Sequence, residues 1–326
     1  MQRTIGRVLG QAEQAFGNVW SIGEMLVMGS RTHELISDPY RSQILQDIER
    51  RGFYPELTTQ HLHLKERNGY LRGRNAYRRV IPNPRNDKVV ARWKPAAGGQ
   101  ARHLLVVCHC YGVPIPPVME QLFGLQNLQD VDVAYNIMNH HYWGSFPLWP
   151  GTGLVSGRQS QFLENIRSAV TGGRVLIEYL RRRKTYQSVT ALGFSIGGQM
   201  SLHLANSAPI DKAILYCPVA SLHQTAQELG MMRAMQPVLR RWQRAPMARL
   251  HLDDMRHASP LDYTLAIQPQ NLHVIAQRND ALATLRQVSA IRAKYPQCGW
   301  HEFDGTHVVP FGLRQFQRTI ADIVHN

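Results

Sequence analysis

The chain has 326 residues, 44% of them hydrophobic, enough to bury one large core, so a single catalytic domain with an appended segment is expected. Its formal charge of +14 favours an anionic partner such as a membrane surface, while the scatter of the cations along the chain argues against nucleic acid. The four cysteines, Cys108, Cys110, Cys217 and Cys298, sit mostly in apolar runs and complete neither a disulfide framework nor a zinc pattern, so no metal is expected.

Residues 1–55 show helical spacing without strand alternation and read as an N-terminal helical extension, with Ile5, Val8, Leu9, Val19, Trp20, Leu26 and Val27 as expected buried positions. The first residues lack the uninterrupted apolar run of a signal peptide. The apolar stretch from Ala15 to Gly29 carries Asn18, Ser21 and Glu24 and falls short of the roughly 20 residues needed to span a bilayer. The expected location is therefore the cytoplasm, with association to an anionic membrane surface as the alternative.

Residues 56–326 form the expected catalytic domain. Leu57 to Leu64 and Val89 to Trp93 have strand character and suggest an opening hairpin, with turns at Asn68-Gly69 and Asn83 to Asn86. The unbroken apolar run His103 to Cys108 predicts a central strand buried on both faces. Strands and helices then alternate: strand Val131 to Met138, helix Phe162 to Leu180, strand Val189 to Phe194, helix Gly197 to Ala205, strand Ala213 to Cys217. The rhythm breaks over about 221–263, which is rich in Met, Arg and Gln and predicts a helical cap insertion. It resumes with strand Leu272 to Ala276, helix Ala283 to Lys294, strand Gly299 to Phe303 and helix Phe311 to Val324. Such alternation specifies a doubly wound, mostly parallel sheet. The basic run Arg181 to Lys184 ends a helix, where cations complement the helix dipole.

Gly193-Phe194-Ser195-Ile196-Gly197 is a G-x-S-x-G string, weak alone but standing here between a β-rich run and a helical one. That setting strains the serine's backbone, lifts its hydroxyl above the sheet and aims a helix N-terminus at it. A serine hydroxyl needs a base, and the base an orienting acid. Downstream, Asp280 closes the loop Gln277-Arg278-Asn279-Asp280 after one strand, and His307 lies in the loop after the next. Asp304 is the main alternative acid, and Asp253, Asp254 and Asp262 are lesser ones. His301 lies within a strand, His325 at the terminus, and His251 and His257 in the insertion. An oxyanion hole would use the backbone N–H of Ile196 and, from the loop Cys108-His109-Cys110-Tyr111-Gly112, that of Tyr111. His109 reads as a structural hydrogen-bonding residue.

The segments HLLVVCHCYGVP, GFSIGG, QRND and GTHVVPF resemble the α/β-hydrolase superfamily over residues 100–326, with Cys110 standing where glycine is usual. The stretch Asn139 to Ser145 resembles a loop in a bacterial esterase branch related to abhydrolase-domain proteins. The resemblance implies a triad of Ser195, Asp280 and His307, esterase-like activity and no cofactor. Cys110, Tyr142, Trp143, Met232 and Trp242 are the expected pocket residues. The expected reaction is hydrolysis of a carboxylic ester or thioester through an acyl-serine. An acyltransferase with the same triad, or an inactive binding protein with a basic surface, is the alternative.

Overall fold

A computed structural model of the chain describes residues 38–57, 63–74, 80–81, 88–111, 116–141, 159–221 and 255–326, together with Val8, Leu9, Gln11 and Ala12. Helix α1 runs Arg41–Arg51. It is followed by β1 (Lys65–Arg67), β2 (Tyr70–Arg74), β3 (Lys88–Lys94), β4 (His103–Cys108), α2 (Pro116–Phe123), β5 (Val131–Ile137) and α3 (Gln159–Arg183). Next come β6 (Ser188–Phe194), α4 (Ile196–Ser207) and β7 (Lys212–Tyr216), then β8 (Leu272–Gln277), α5 (Leu285–Lys294), β9 (Gly299–Phe303) and α6 (Leu313–His325).

These strands form one sheet in the order β1-β2-β3-β5-β4-β6-β7-β8-β9. The pairs from β5 through β9 are all parallel, and β1, β2 and β3 join antiparallel at one edge. The apolar run at 103–108 does become the middle strand, fully buried. Its alternate residues feed two cores: Leu104 and Val106 pack with α3, α4 and α5, whereas Leu105 and Val107 pack with α2 and α6. The chain leaves β4 for β5 on one side and returns to β6 on the other. Strand order therefore reverses at β4, and in open sheets a crevice forms at the carboxyl ends where this happens.

The opening hairpin lies further along than expected. Leu57, His63 and Leu64 are outside any strand, and the pairing is β1 with β2 around Asn68-Gly69. Both turn residues have left-handed φ, 53° and 72°, the geometry of a two-residue turn that pairs the residues directly flanking it. The turn, not the upstream alternation, set the register. Helix α2 has no counterpart in the sequence reading, because eight residues beginning Pro-Pro are too short for a periodic signal.

Of the expected extension, Val8 and Leu9 are exposed, not buried, since a helical stripe specifies a face without supplying a partner to cover it. Ile5, Val19, Trp20, Leu26 and Val27 lie outside the described residues. Helix α1 and the turn after it dock firmly on α3. The guanidinium of Arg167, completely buried, donates from Nη1 to Asp47 Oδ2 at 2.9 Å, from Nη2 to the Gly52 carbonyl at 2.9 Å and from Nε to the Phe53 carbonyl. Tyr54 Oη donates to His203 Nδ1 on α4 at 2.7 Å, and His203 Nε2 donates to the Ala258 carbonyl. The basic end of α3 is occupied locally: Arg181 caps the Pro209 carbonyl, Arg183 pairs with Glu66 over the Trp93 ring, and Lys184 reaches the Gly99 carbonyl. The four cysteines are buried and unbridged. Among the described residues no helix is long and apolar enough to cross a membrane.

Candidate active site

Ser195 sits in the tight turn between β6 and α4, with φ 58° and ψ −118°. A non-glycine residue reaches this region only when its surroundings hold it there. They do so by close packing and by hydrogen bonds. A Cβ on Gly193 would lie 2.0 Å from the Gly197 carbonyl oxygen, and one on Gly197 would lie 2.1 Å from that of Cys108. Ser195 N–H donates to the Tyr216 carbonyl at 3.0 Å, and the Ser195 carbonyl accepts from Gly198 and Val219. Ile196, as the first residue of α4, has an N–H with no partner inside the helix.

The approach of Gly197 to Cys108 brings the head of α4 against the loop that follows β4. In that loop His109 is buried and its tautomer is dictated by its partners. Nε2 accepts from the Met138 N–H at 3.1 Å, so Nδ1 carries the proton and donates to the Cys110 carbonyl at 2.7 Å. Burial pushes the His109 pKa down to about 4, keeping it neutral. The expected structural role fits this geometry. Holding the Cys110 carbonyl also orients the Cys110–Tyr111 peptide, because a trans peptide points its N–H opposite its C=O. Cys110 is buried and is not among the residues of positive φ, so its Cβ is accommodated where glycine is usual. The Tyr111 ring lies edge-on to His141, which packs on His109.

Two loops at the same sheet edge bring Asp280 and His307 together. His307 Nδ1 donates to Asp280 Oδ2 at 2.8 Å. The other carboxylate oxygen accepts from the N–H groups of Leu282 and Ala283, each at 2.8 Å. Both side chains are almost completely buried. The loops are laced to each other by Arg278 N–H to the Phe303 carbonyl and Asn279 N–H to the Gly305 carbonyl. His307 stands in a small closed loop, where Gly305 bridges Pro310, Thr306 N–H reaches the Val309 carbonyl and Phe311 N–H reaches that of Asp304. The His307 ring packs on Phe194, the residue before Ser195, at 5.3 Å between centroids.

The rivals lie elsewhere. Asp304 binds Arg278 at the surface, His301 faces His273, His325 pairs with Asp130, and Asp262 and His257 are exposed. Asp253, Asp254 and His251 lie outside the described residues, as do the expected pocket residues Tyr142, Trp143, Met232 and Trp242.

Cys217, the residue after β7, was missed as a site neighbour. It has a left-handed φ of 44° and is fully buried. Its sulfur and ligand atoms of Asp280 and His307 all lie within 4.8 Å of one another. Cysteine at a strand end gives no sequence signal of that proximity, which arises from three loops on adjacent strands.

The sheet order, the serine turn and the paired loops define the α/β-hydrolase fold. Acetyl xylan esterase 1 from Thermoanaerobacterium is similar in structure, with a TM-score of 0.52 at 13% identity over 79% of this chain and 87% of that one. Est1E from Butyrivibrio proteoclasticus gives a TM-score of 0.50 at 11% identity, covering 73% of this chain and 96% of that one. No family model matches the sequence, and no curated protein matches it. At such identities the likeness establishes the fold.

Proposed function

We propose that this protein is a serine hydrolase that cleaves a carboxylic ester or thioester through an acyl-Ser195 intermediate. The observation that carries the reading is the His307–Asp280 hydrogen bond of 2.8 Å, with Asp280 itself fixed by two backbone N–H groups, beside the strained serine turn. Asp280 holds the proton on Nδ1 of His307, leaving Nε2 to accept the Ser195 proton as the hydroxyl attacks the acyl carbon. The N–H groups of Ile196 and Tyr111 receive the oxyanion, and His307 then returns its proton to the leaving group. Two structural neighbours being named esterases supports the same reading. The reading requires no cofactor. Four unbridged cysteines fit a reducing compartment such as the cytoplasm. The test is labelling with a fluorophosphonate probe together with turnover of p-nitrophenyl esters. Wild type should react in both assays and Ser195→Ala in neither, whereas a binding protein without turnover would show no Ser195-dependent signal.

In this reading residues 1–55 are an extension and about 221–263 a cap, of which 222–254 lie outside the described residues. A membrane-facing rim is supported by where the exposed apolar side chains fall. Among the described residues six large hydrophobics are exposed, and four of them, Val118, Val308, Val309 and Leu313, belong to α2 and to the segment running from His307 into α6. Helices α2 and α6 both start at the carboxyl edge of the sheet, and Gln317 Nε2 donates to the Gln121 carbonyl between them. The exposed Arg314 and Arg318 on α6 add cationic charge suited to anionic headgroups.

A further inference from the structure

We infer that Cys217, Asp280 and His307 form a binding site for a thiophilic divalent cation, zinc or cadmium, which shuts the enzyme off. The three residues follow the adjacent parallel strands β7, β8 and β9 and so converge at one edge of the sheet. They offer one sulfur, one oxygen and one nitrogen within 4.8 Å of one another. Metal bonds of about 2.3 Å to sulfur and about 2.0–2.2 Å to nitrogen and oxygen place the ligands of one ion roughly 3–4 Å apart, on the scale of the separations found here. The proposed hydrolysis uses no thiol, so it gives Cys217 no task. Yet its left-handed backbone is pinned, with its N–H donating to the Ile275 carbonyl at 2.9 Å, and this holds the side chain in the site.

Charge favours a divalent ion. The Cys217 thiolate and the Asp280 carboxylate together neutralise it, so the buried complex carries no net charge. On binding, the cation takes the thiolate sulfur, and the thiol proton leaves to solvent. The cation also takes one Asp280 oxygen and His307 Nδ1, and the proton that Nδ1 carried moves to Nε2, keeping the ring neutral. Nε2 is then a donor and cannot accept the Ser195 proton. The cation thus inhibits by locking the wrong tautomer, a consequence that rests on the proposed hydrolysis, whereas binding does not. Magnesium, which demands oxygen ligands, does not fit this donor set.

The test is titration of the full chain with cadmium, reading the ultraviolet charge-transfer absorbance of cadmium thiolate and ester hydrolysis in parallel. Absorbance should saturate at one cadmium per chain, activity should fall with it and return on adding EDTA, and magnesium should do neither. Cys217→Ser, or Cys217→Ala should the serine variant fail to fold, should keep hydrolysing esters and weaken cadmium inhibition by about tenfold or more. Cadmium NMR on the wild type should report one sulfur among nitrogen and oxygen ligands, a readout that needs no variant. Absence of thiolate absorbance in the wild type, or equal inhibition of the Cys217 variants, overturns the site. Cys217-dependent absorbance in a protein with no esterase activity would support the site and defeat the proposed hydrolysis instead.

Discussion

Asp304 Oδ1 accepts from Arg278 Nη1 at 2.9 Å, at the surface, while Asp280, on the neighbouring loop, is sealed against His307. Two carboxylates that both precede His307 in sequence therefore have different work. Asp280→Asn should lower kcat on p-nitrophenyl acetate by roughly 10⁴-fold through loss of the correct imidazole tautomer. Asp304→Asn should leave kcat within about twofold, because an exposed ion pair contributes little. The reverse ranking would remove Asp280 from the mechanism.

Gly197 has no room for a side chain, since its Cβ would collide with the backbone carbonyl of Cys108, which cannot rotate away. Gly197→Ala should cost ~3 kcal/mol or more in urea unfolding by forcing α4 off the β4 loop. Any protein that folds should also label more slowly with fluorophosphonate, because the same shift displaces the Ile196 N–H. An alanine variant with wild-type stability and labelling would contradict the packing.

Acid should destabilise the fold earlier than carboxylate protonation alone would. Burial holds His109 and His203 neutral, with pKa values pushed down to about 4 and about 3. Unfolded, both return to about 6.5 and bind protons, so the unfolded state gains on the folded one as pH falls below that value. Stability is full above about pH 6.5 and lost progressively between there and about pH 3. The urea midpoint should drop between about pH 7.5 and about pH 5, and His203→Gln should shrink that drop while lowering the midpoint at the higher pH. An unchanged drop would mean that His203 does not couple to acid unfolding.

Vesicle flotation tests the apolar rim. Binding to phosphatidylglycerol vesicles should exceed binding to phosphatidylcholine vesicles and fall as salt rises. Val309→Asp with Leu313→Asp should abolish it without lowering the rate on soluble p-nitrophenyl acetate. Equal binding to both lipids, or none, would leave the rim without this partner.

A cap over residues of about 221–263 would select the acyl group. Met232→Ala and Trp242→Ala should shift preference among p-nitrophenyl esters of graded chain length more than they change the rate on the acetate. Unchanged chain-length preference in both would argue that the insertion lies away from the site.

Much of the architecture was legible because the inner parallel strands bury both faces and so appear as largely apolar runs, as at His103 to Cys108 and Val189 to Phe194. The elbow was legible because its glycines answer to a local steric demand. Asp280 and His307 could be placed by their loops, since a residue just past a buried strand has one edge of the sheet to occupy. What escaped notice depended on long-range contact. Cys217 meets His307 only after two further strands are added, and Asp47 finds Arg167 only once α1 lies on α3. The hairpin slipped because its register is decided by the left-handed Asn68-Gly69 turn and not by alternating side chains upstream.

The burial of Arg167 gives the chain an internal ligand. The segment from Asp47 to Phe53 supplies three acceptors to its guanidinium, and Tyr54 adds a further grip on His203. A chain clipped after residue 57 would take these acceptors away from the buried guanidinium in the larger piece, while Asp47 in the smaller would keep Arg50 and Arg51. The two pieces would act as receptor and peptide, so α1 belongs to the folding unit even though it precedes every strand among the described residues.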